Sequence, residues 1–228
     1  MSKIIIPRTA PFATFMAFTG INELNHFLGD KGIVSFSPSL HLYLYPIRIL
    51  IVSLLLVAFW KEYNEIRVRD ILHSRDTTLS LTVGIIVFFL WINMPWTVGA
   101  SDTAAGYNPA AVSENFTQNS LIGIRLLGAS VVVPIMEELF WRSFVMRYII
   151  NPDFSKVSLG KFSWGSLLIG NVLFGLEHHY LTAGIMAGVA YSILLYRSRS
   201  LLQCIMAHGV TNLILGIYVL KTGQWQFW

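Results

Sequence analysis

The sequence predicts an all-α membrane protein, a polytopic helical bundle with about seven transmembrane helices. Of its 228 residues 54% are hydrophobic and only 12% are charged, whereas soluble domains carry about 25% charged residues. Mean hydropathy is +0.60. Several apolar runs approach the roughly 20 residues that cross about 30 Å of hydrocarbon. These runs are long and unbroken, unlike the short alternating segments of a transmembrane β-barrel.

The predicted spans follow the apolar runs in order. They cover roughly residues 10–28, 41–60, 79–96, 119–150, 163–178, 182–196 and 201–220. The first run follows a basic start but no small-residue cleavage site, so we interpret it as an uncleaved span rather than a signal peptide. The loop at 97–118 contains no Lys or Arg.

Three of these runs have unusual lengths. The fourth would measure about 48 Å at about 1.5 Å per residue, so we expect it to tilt or to project from the bilayer. The fifth and sixth are short, which predicts that the turn between them lies below the membrane surface. Such a turn is tolerated when protein or a wet cavity surrounds it.

The basic residues predict the orientation. With the N-terminus in the cytoplasm, eleven Lys and Arg residues fall on cytoplasmic segments and two, Lys31 and Lys221, fall outside. This is a strong positive-inside bias. The net charge of +4 is therefore explained by membrane topology, and we expect no nucleic-acid partner.

The chain reads as a single integrated domain. Residues 1–118 form an N-terminal three-span segment and residues 119–228 a four-helix segment that contains most of the buried polar groups. The only cysteine, Cys204, excludes a disulfide and a cysteine-based metal site.

Charged residues inside the fourth run are the strongest functional signal. Glu137, Glu138 and Arg142 lie within six residues, although each charge costs at least about 2.5 kcal/mol in hydrocarbon. Glu138 and Arg142 are four residues apart, so they share a helix face and can form an ion pair. Glu137 points about 100° away and is left for another partner.

Other polar side chains come from separate runs. Counted from the cytoplasmic ends at about 1.5 Å per residue, Glu137, His178 and His208 all lie near mid-membrane. His208 shares a helix face with Asn212. One convergent site is therefore plausible from depth alone. Arg125 lies three turns before Glu137, and the sequence assigns it no role.

Three motifs occur in order on successive runs: Glu137-Glu138-x-x-x-Arg142, Phe174-x-x-x-His178 and His208-x-x-x-Asn212. Over residues 119–220 the chain resembles the CAAX prenyl protease and bacteriocin-processing superfamily of glutamic-type intramembrane proteases. The flanking residues are similar to the bacterial group that accompanies exosortase systems.

The resemblance implies the roles of the motif residues. Glu137 with His178 would activate a water molecule for attack on a peptide carbonyl. His208 and Asn212 would stabilise the oxyanion, and Glu138 with Arg142 would support the site. His179 is left as pocket lining or structural, with Phe174 as packing, and His179 could replace His178 as the base. Glu177 is interpreted as a turn or rim residue.

The resemblance further implies the setting of the reaction. The protein would be integral to the bacterial inner membrane and would cleave a membrane-associated protein or peptide without a cofactor. Exosortase-type sorting components are the partners implied by the narrower similarity.

Two other functions compete with this hypothesis. The same histidines and glutamates could bind zinc, although no His-Glu-x-x-His motif occurs. Buried charges also mark ion relays, so a non-enzymatic transporter or scaffold is the other alternative, although no inverted repeat supports it.

Overall fold

The computed structural model describes residues 2–33, 40–94 and 106–228. All regular secondary structure in these residues is helical. We name the long elements α1 (Ser2–Asp30), α2 (Leu40–Ala58), α3 (Ser74–Ile92), α4 (Asn115–Ile150), α5 (Trp164–Leu176), α6 (Leu181–Ser198) and α7 (Leu201–Thr222).

The helices confirm the predicted membrane bundle. Six of them are long and apolar enough to span a bilayer. The exception is α5, whose 13 residues cover only about 20 Å at about 1.5 Å each. The predicted third span and the loop that follows it extend into residues 95–105, which lie outside the described part of the chain.

In α1 and in α2, a backbone carbonyl that a proline leaves without its helical donor accepts a hydrogen bond from another element. Pro11 has no N–H, so the carbonyl of Pro7, four residues earlier, receives no helical hydrogen bond. The Tyr63 hydroxyl donates to that carbonyl at 2.8 Å. In α2, Pro46 leaves the carbonyl of Leu42 free in the same way, and the Tyr107 hydroxyl donates to it at 3.1 Å. This explains how α1 can begin at Ser2 rather than near residue 10.

Two π-helical turns interrupt α4, at Gly128–Val132 and Leu139–Val145. In the first turn the N–H of Val133 donates to Gly128, five residues back. The next donor in that register would be Pro134, which has no N–H, so the carbonyl of Ala129 is left free. π-turns are rare and occur often at functional sites. Here they flank the segment that carries the two glutamates.

Close helix packing brings α7 against α3 and α4. A Cβ added at Gly84 of α3 would lie 2.5 Å from the carbonyl oxygen of Ala207. A Cβ at Gly209 of α7 would lie 2.7 Å from the carbonyl oxygen of Ser130. Small residues allow this approach of helix backbones in membranes. The packing at Gly209 places α7 directly against the first π-turn.

A polar cluster joins the N-terminal half to α4. Arg8 donates from Nε and Nη2 to the two carboxylate oxygens of Glu65, both at 2.7 Å. Ser143 of α4 donates to the same carboxylate, and Arg147 donates to the Ser143 hydroxyl at 2.8 Å. Burial raises the pKa of Glu65, but the hydrogen bonds from Arg8 and Ser143 outweigh it and hold the pKa below its ordinary value.

Candidate active site

A cavity of about 170 Å³ lies between the helices, and residues of all seven helices and of the C-terminal segment line it. At about 30 Å³ per water molecule in the liquid, it has room for several waters. The four residues that the motifs singled out, Glu137, His178, His208 and Asn212, all line it. The bundle therefore brings together side chains from three distant segments of the sequence, since His208 and Asn212 lie on the same helix.

Glu137 lies in the cavity wall and is 6% exposed. Its Oε2 atom is buried and has no hydrogen-bond partner among the described residues. The nearest cation-forming atom recorded for it is Nε2 of His208, at 4.0 Å. A buried carboxylate oxygen without a partner costs free energy. We therefore expect a water molecule or a ligand in the cavity to donate a hydrogen bond to it.

Glu138 is fully buried on the adjacent face. Its Oε2 atom lies 3.2 Å from Nε of Arg142, which is the ion pair expected from the four-residue spacing. Arg142 also donates to the carbonyl of Gly188 at 3.1 Å and stacks its guanidinium over the ring of Phe174 at 4.3 Å. The arginine thus links α4 to α5 and α6.

His208 connects the two glutamates. Its Nδ1 atom lies 3.0 Å from Oε1 of Glu138. Because a carboxylate accepts, Nδ1 carries the proton of this bond. The imidazole stacks on the ring of Tyr191 at 5.0 Å. These contacts fix the ring, so Nε2 points toward Glu137.

His178 is oriented by the backbone. Its Nδ1 atom lies 2.7 Å from the carbonyl oxygen of Phe174. A carbonyl can only accept, so Nδ1 donates and Nε2 is left as the acceptor in the neutral ring. Contacts with the rings of Phe174 at 4.7 Å and Trp91 at 5.4 Å hold the imidazole in place.

Asn212 is held by the first π-turn. Its Nδ2 atom donates at 2.9 Å to the carbonyl of Ala129, the group that Pro134 leaves without a helical donor. The amide has two N–H groups, so one stays available to a ligand in the cavity.

Glu177 is closer to the site than the sequence indicated. Trp141 donates to its Oε1 at 2.9 Å, and that oxygen lies 4.0 Å from Nδ1 of His178. One ligand atom from each of Glu137, Glu177 and His178 lies within 4.8 Å of the others, so these residues could hold a metal ion. The turn between α5 and α6 brings Glu177 here, and only its place beside His178 hinted at this.

The remaining motif residues are less central. Phe174 is buried and lines the cavity. His179 is exposed, contacts the ring of Tyr180 at 5.1 Å and is not among the residues that line the cavity. Arg125, which the sequence left unassigned, lines the opposite end of the same cavity.

Comparison with known families agrees with the motifs. Residues 119–214 match the family model described as Type II CAAX prenyl endopeptidase Rce1-like, which confirms the resemblance for this part of the chain. The match supports a membrane protease in general, and with the six apolar helices an integral membrane protein. Neither curated proteins nor solved structures give a match.

Proposed function

We propose that this chain, which carries an Rce1-like domain at residues 119–214, is an intramembrane endopeptidase of the glutamic type. Its substrate would be a membrane-associated protein or peptide, with the N-terminus of the enzyme in the cytoplasm of a bacterial inner membrane. The observation that carries the proposal is the unpartnered carboxylate oxygen of Glu137 in a cavity that His178, His208 and Asn212 also line.

Water activation is assigned to Glu137 and His178. Their ligand atoms lie within 4.8 Å of each other, less than two hydrogen-bond lengths of about 2.8 Å each. One water molecule can therefore bridge them. Glu137 would take the proton as general base while His178 orients the attacking oxygen. The proton then passes to the leaving amine.

Oxyanion stabilisation is assigned to His208 and Asn212. Because Nδ1 of His208 already donates to Glu138, Nε2 can donate to an oxyanion only when the ring is protonated. The second donor is the free N–H of the Asn212 amide.

Glu138 and Arg142 would act through other groups. Glu138 holds the tautomer of His208, and Arg142 holds Glu138 while it contacts the ring of Phe174. We assign them positioning roles, since neither lines the cavity.

The test is the Glu137→Gln variant, which keeps the shape of the side chain and removes the base. We expect accumulation of at least one unprocessed membrane-associated protein in cells, found by mapping terminal peptides in membranes, with a rate loss of at least about a hundredfold. The matched control is Glu62→Gln, at an exposed carboxylate outside the cavity. Unchanged processing in Glu137→Gln would overturn the proposal and favour the transporter or scaffold alternative.

A zinc-dependent protease is the second candidate, because Glu137, Glu177 and His178 offer three ligand atoms in one place. Three protein ligands with an open position are typical of catalytic zinc. The zinc candidate predicts that strong chelation abolishes activity, that Zn²⁺ restores it, and that Glu177→Gln is as damaging as Glu137→Gln. Our proposal predicts that activity survives chelation and that Glu177→Gln has the smaller effect.

A further inference from the structure

The cavity has a second charged end, formed around Arg125. The guanidinium of Arg125 lies over the rings of Tyr45 at 4.4 Å, Tyr107 at 5.2 Å and Trp228 at 5.9 Å. Its Nε atom is buried and, like Nε1 of Trp228, has no hydrogen-bond partner in the part of the chain that the structure describes. Both residues line the cavity. Two donors without acceptors therefore face this end.

A second arginine adds to the positive charge. Arg48 of α2 lies over Phe15 at 4.0 Å and over Tyr45 at 4.9 Å, so the ring of Tyr45 contacts both guanidinium groups. The only hydrogen bond recorded for the Arg48 side chain goes to Thr19, at 3.0 Å, and its Nε atom is also unpartnered. Among the described residues neither arginine makes an ion pair.

Among the residues that the structure describes, no carboxylate pairs with either of these arginines. Glu137 is the only Asp or Glu among the described residues that line the cavity, and it lies beside His208, about three turns of α4 from Arg125. Aromatic rings stabilise a guanidinium only modestly and do not replace a counterion. The hydroxyls of Tyr45 and Tyr107 already donate to backbone carbonyls. An anionic ligand in the cavity would accept hydrogen bonds from Arg125 and Trp228, which line it, while Arg48 adds positive charge next to Tyr45, whose ring contacts both guanidinium groups.

The first π-turn aligns this end with the catalytic end. In an uninterrupted α-helix, residues twelve apart point about 120° from each other. A π-turn rotates less per residue, so Arg125 and Glu137 come to face the same cavity. Along α4 they are about 18 Å apart at about 1.5 Å per residue.

We infer that Arg125, supported by Trp228 and Arg48, binds a carboxylate of the peptide substrate within about five residues of the scissile bond, since an extended chain covers about 3.4 Å per residue. The carboxylate is either the C-terminus of the substrate or an Asp or Glu side chain. This inference rests on the proposed function, because it treats the cavity as a substrate site. A charge-assisted bond from a fork of guanidinium donors supplies both affinity and register.

The experiment measures binding without turnover. The Glu137→Gln protein is placed in nanodiscs of neutral phosphatidylcholine. The hexapeptide acetyl-Leu-Val-Leu-Ala-Val-Leu is titrated as free acid, as C-terminal amide, and as an amide with Asp in the last position. Binding is followed by tryptophan fluorescence, since Trp91 and Trp228 line the cavity.

We expect at least one acidic peptide to bind about tenfold tighter than the plain amide. The preference should disappear in Arg125→Gln, persist in part in Arg125→Lys, and be unchanged in Arg75→Gln, an exposed arginine outside the cavity. If Arg125→Gln does not fold, two measurements still test the inference. One is the comparison of the acidic peptides with the plain amide, and the other is the weaker preference for acidic peptides expected in Arg48→Gln.

Equal binding of acids and amide, binding of none of them, or a preference that Arg125→Gln leaves intact would each overturn the inference. Stabilisation by phosphatidylglycerol that depends on Arg125, with no preference for acidic peptides, would overturn it in favour of a lipid phosphate. An Arg125-dependent preference together with unchanged processing in Glu137→Gln cells would retain the carboxylate site at Arg125, but it would remove the protease proposal and with it the position relative to a scissile bond.

Discussion

Glu138 has two partners, Arg142 and His208, that make its burial tolerable. It is 0% exposed, and Arg142, which contacts it, is 1% exposed. The pair is extended by His208 on one side and by the carbonyl of Gly188 on the other. Removal of one member of a buried ion pair costs far more than loss of the pair, because the remaining charge is left without compensation.

We therefore expect Arg142→Gln to lower the free energy of unfolding by about 3–5 kcal/mol. The measurement is unfolding by denaturant in mixed micelles. The double variant Glu138→Gln/Arg142→Gln should recover part of this loss, because two amides can pair without charge. If the double variant is as unstable as the sum of the single variants, the two side chains are not coupled.

For individual residues, the sequence predicted only part of the site. The spacing of Glu138 and Arg142 predicted their ion pair, since helix geometry sets contacts four residues apart. The bond between Glu138 and His208 could not be predicted, because it joins positions that meet only after α4 and α7 pack. Glu177 was missed for the same reason, since the turn after α5 sets its direction.

At the level of helices, α1 and α2 share a feature that lowers the free-energy cost of a proline within a helix. Pro11 of α1 and Pro46 of α2 each leave one carbonyl free, and a tyrosine hydroxyl from a distant segment donates to it. In α4 the amide of Asn212 does the same for Ala129. A buried carbonyl without a partner costs about 1–3 kcal/mol, so each tyrosine or asparagine also ties its own segment to a helix.

We expect Tyr63→Phe to destabilise the protein by about 1–3 kcal/mol, since the carbonyl of Pro7 would lose its donor. The added substitution Pro11→Ala should restore most of the loss, because alanine returns the N–H that proline lacks. Thermal unfolding in detergent measures both variants. Tyr218→Phe serves as the control, since only ring contacts are recorded for that side chain. A failure of Pro11→Ala to restore stability would contradict this account.

At the scale of the whole molecule, the Arg8–Glu65 cluster holds the N-terminal half against α4. The folded pKa of Glu65 is below the ordinary value of 4.5, so the cluster contributes stability above that value. This contribution is lost as pH falls through the folded pKa and Glu65 is protonated.

Glu65→Gln should therefore destabilise the protein clearly at pH 7 and progressively less as pH falls below 4.5. Thermal unfolding midpoints of wild type and variant, measured across this pH range, test the expectation. The exposed Glu62→Gln control should show a small difference at every pH. A gap between wild type and Glu65→Gln that stays constant with pH would contradict the assignment.

The overall bundle could be predicted because hydrocarbon imposes length and apolarity on each span. Six helices follow the apolar runs, and even the shortness of α5 was visible in the sequence. The long-range ties could not be predicted in this way. The contact of Arg8 with Glu65 joins residues 57 positions apart, and no local pattern specifies which carboxylate an arginine will meet.

The π-turn at Gly128–Val132 shifts the angular position of the side chains upstream of it on α4 relative to those downstream. Upstream of it the helix presents Arg125 to the cavity, and downstream it presents Glu137, although a regular helix would aim them apart. The turn contains one residue more than an α-helical turn would, and this extra residue brings the two side chains to the same side of the helix. Deletion of a single residue from this turn would rotate everything upstream by about 100° relative to the glutamates. Arg125 and Glu137 would then no longer face the same cavity. They could not bind the same peptide, even though every functional side chain was still present.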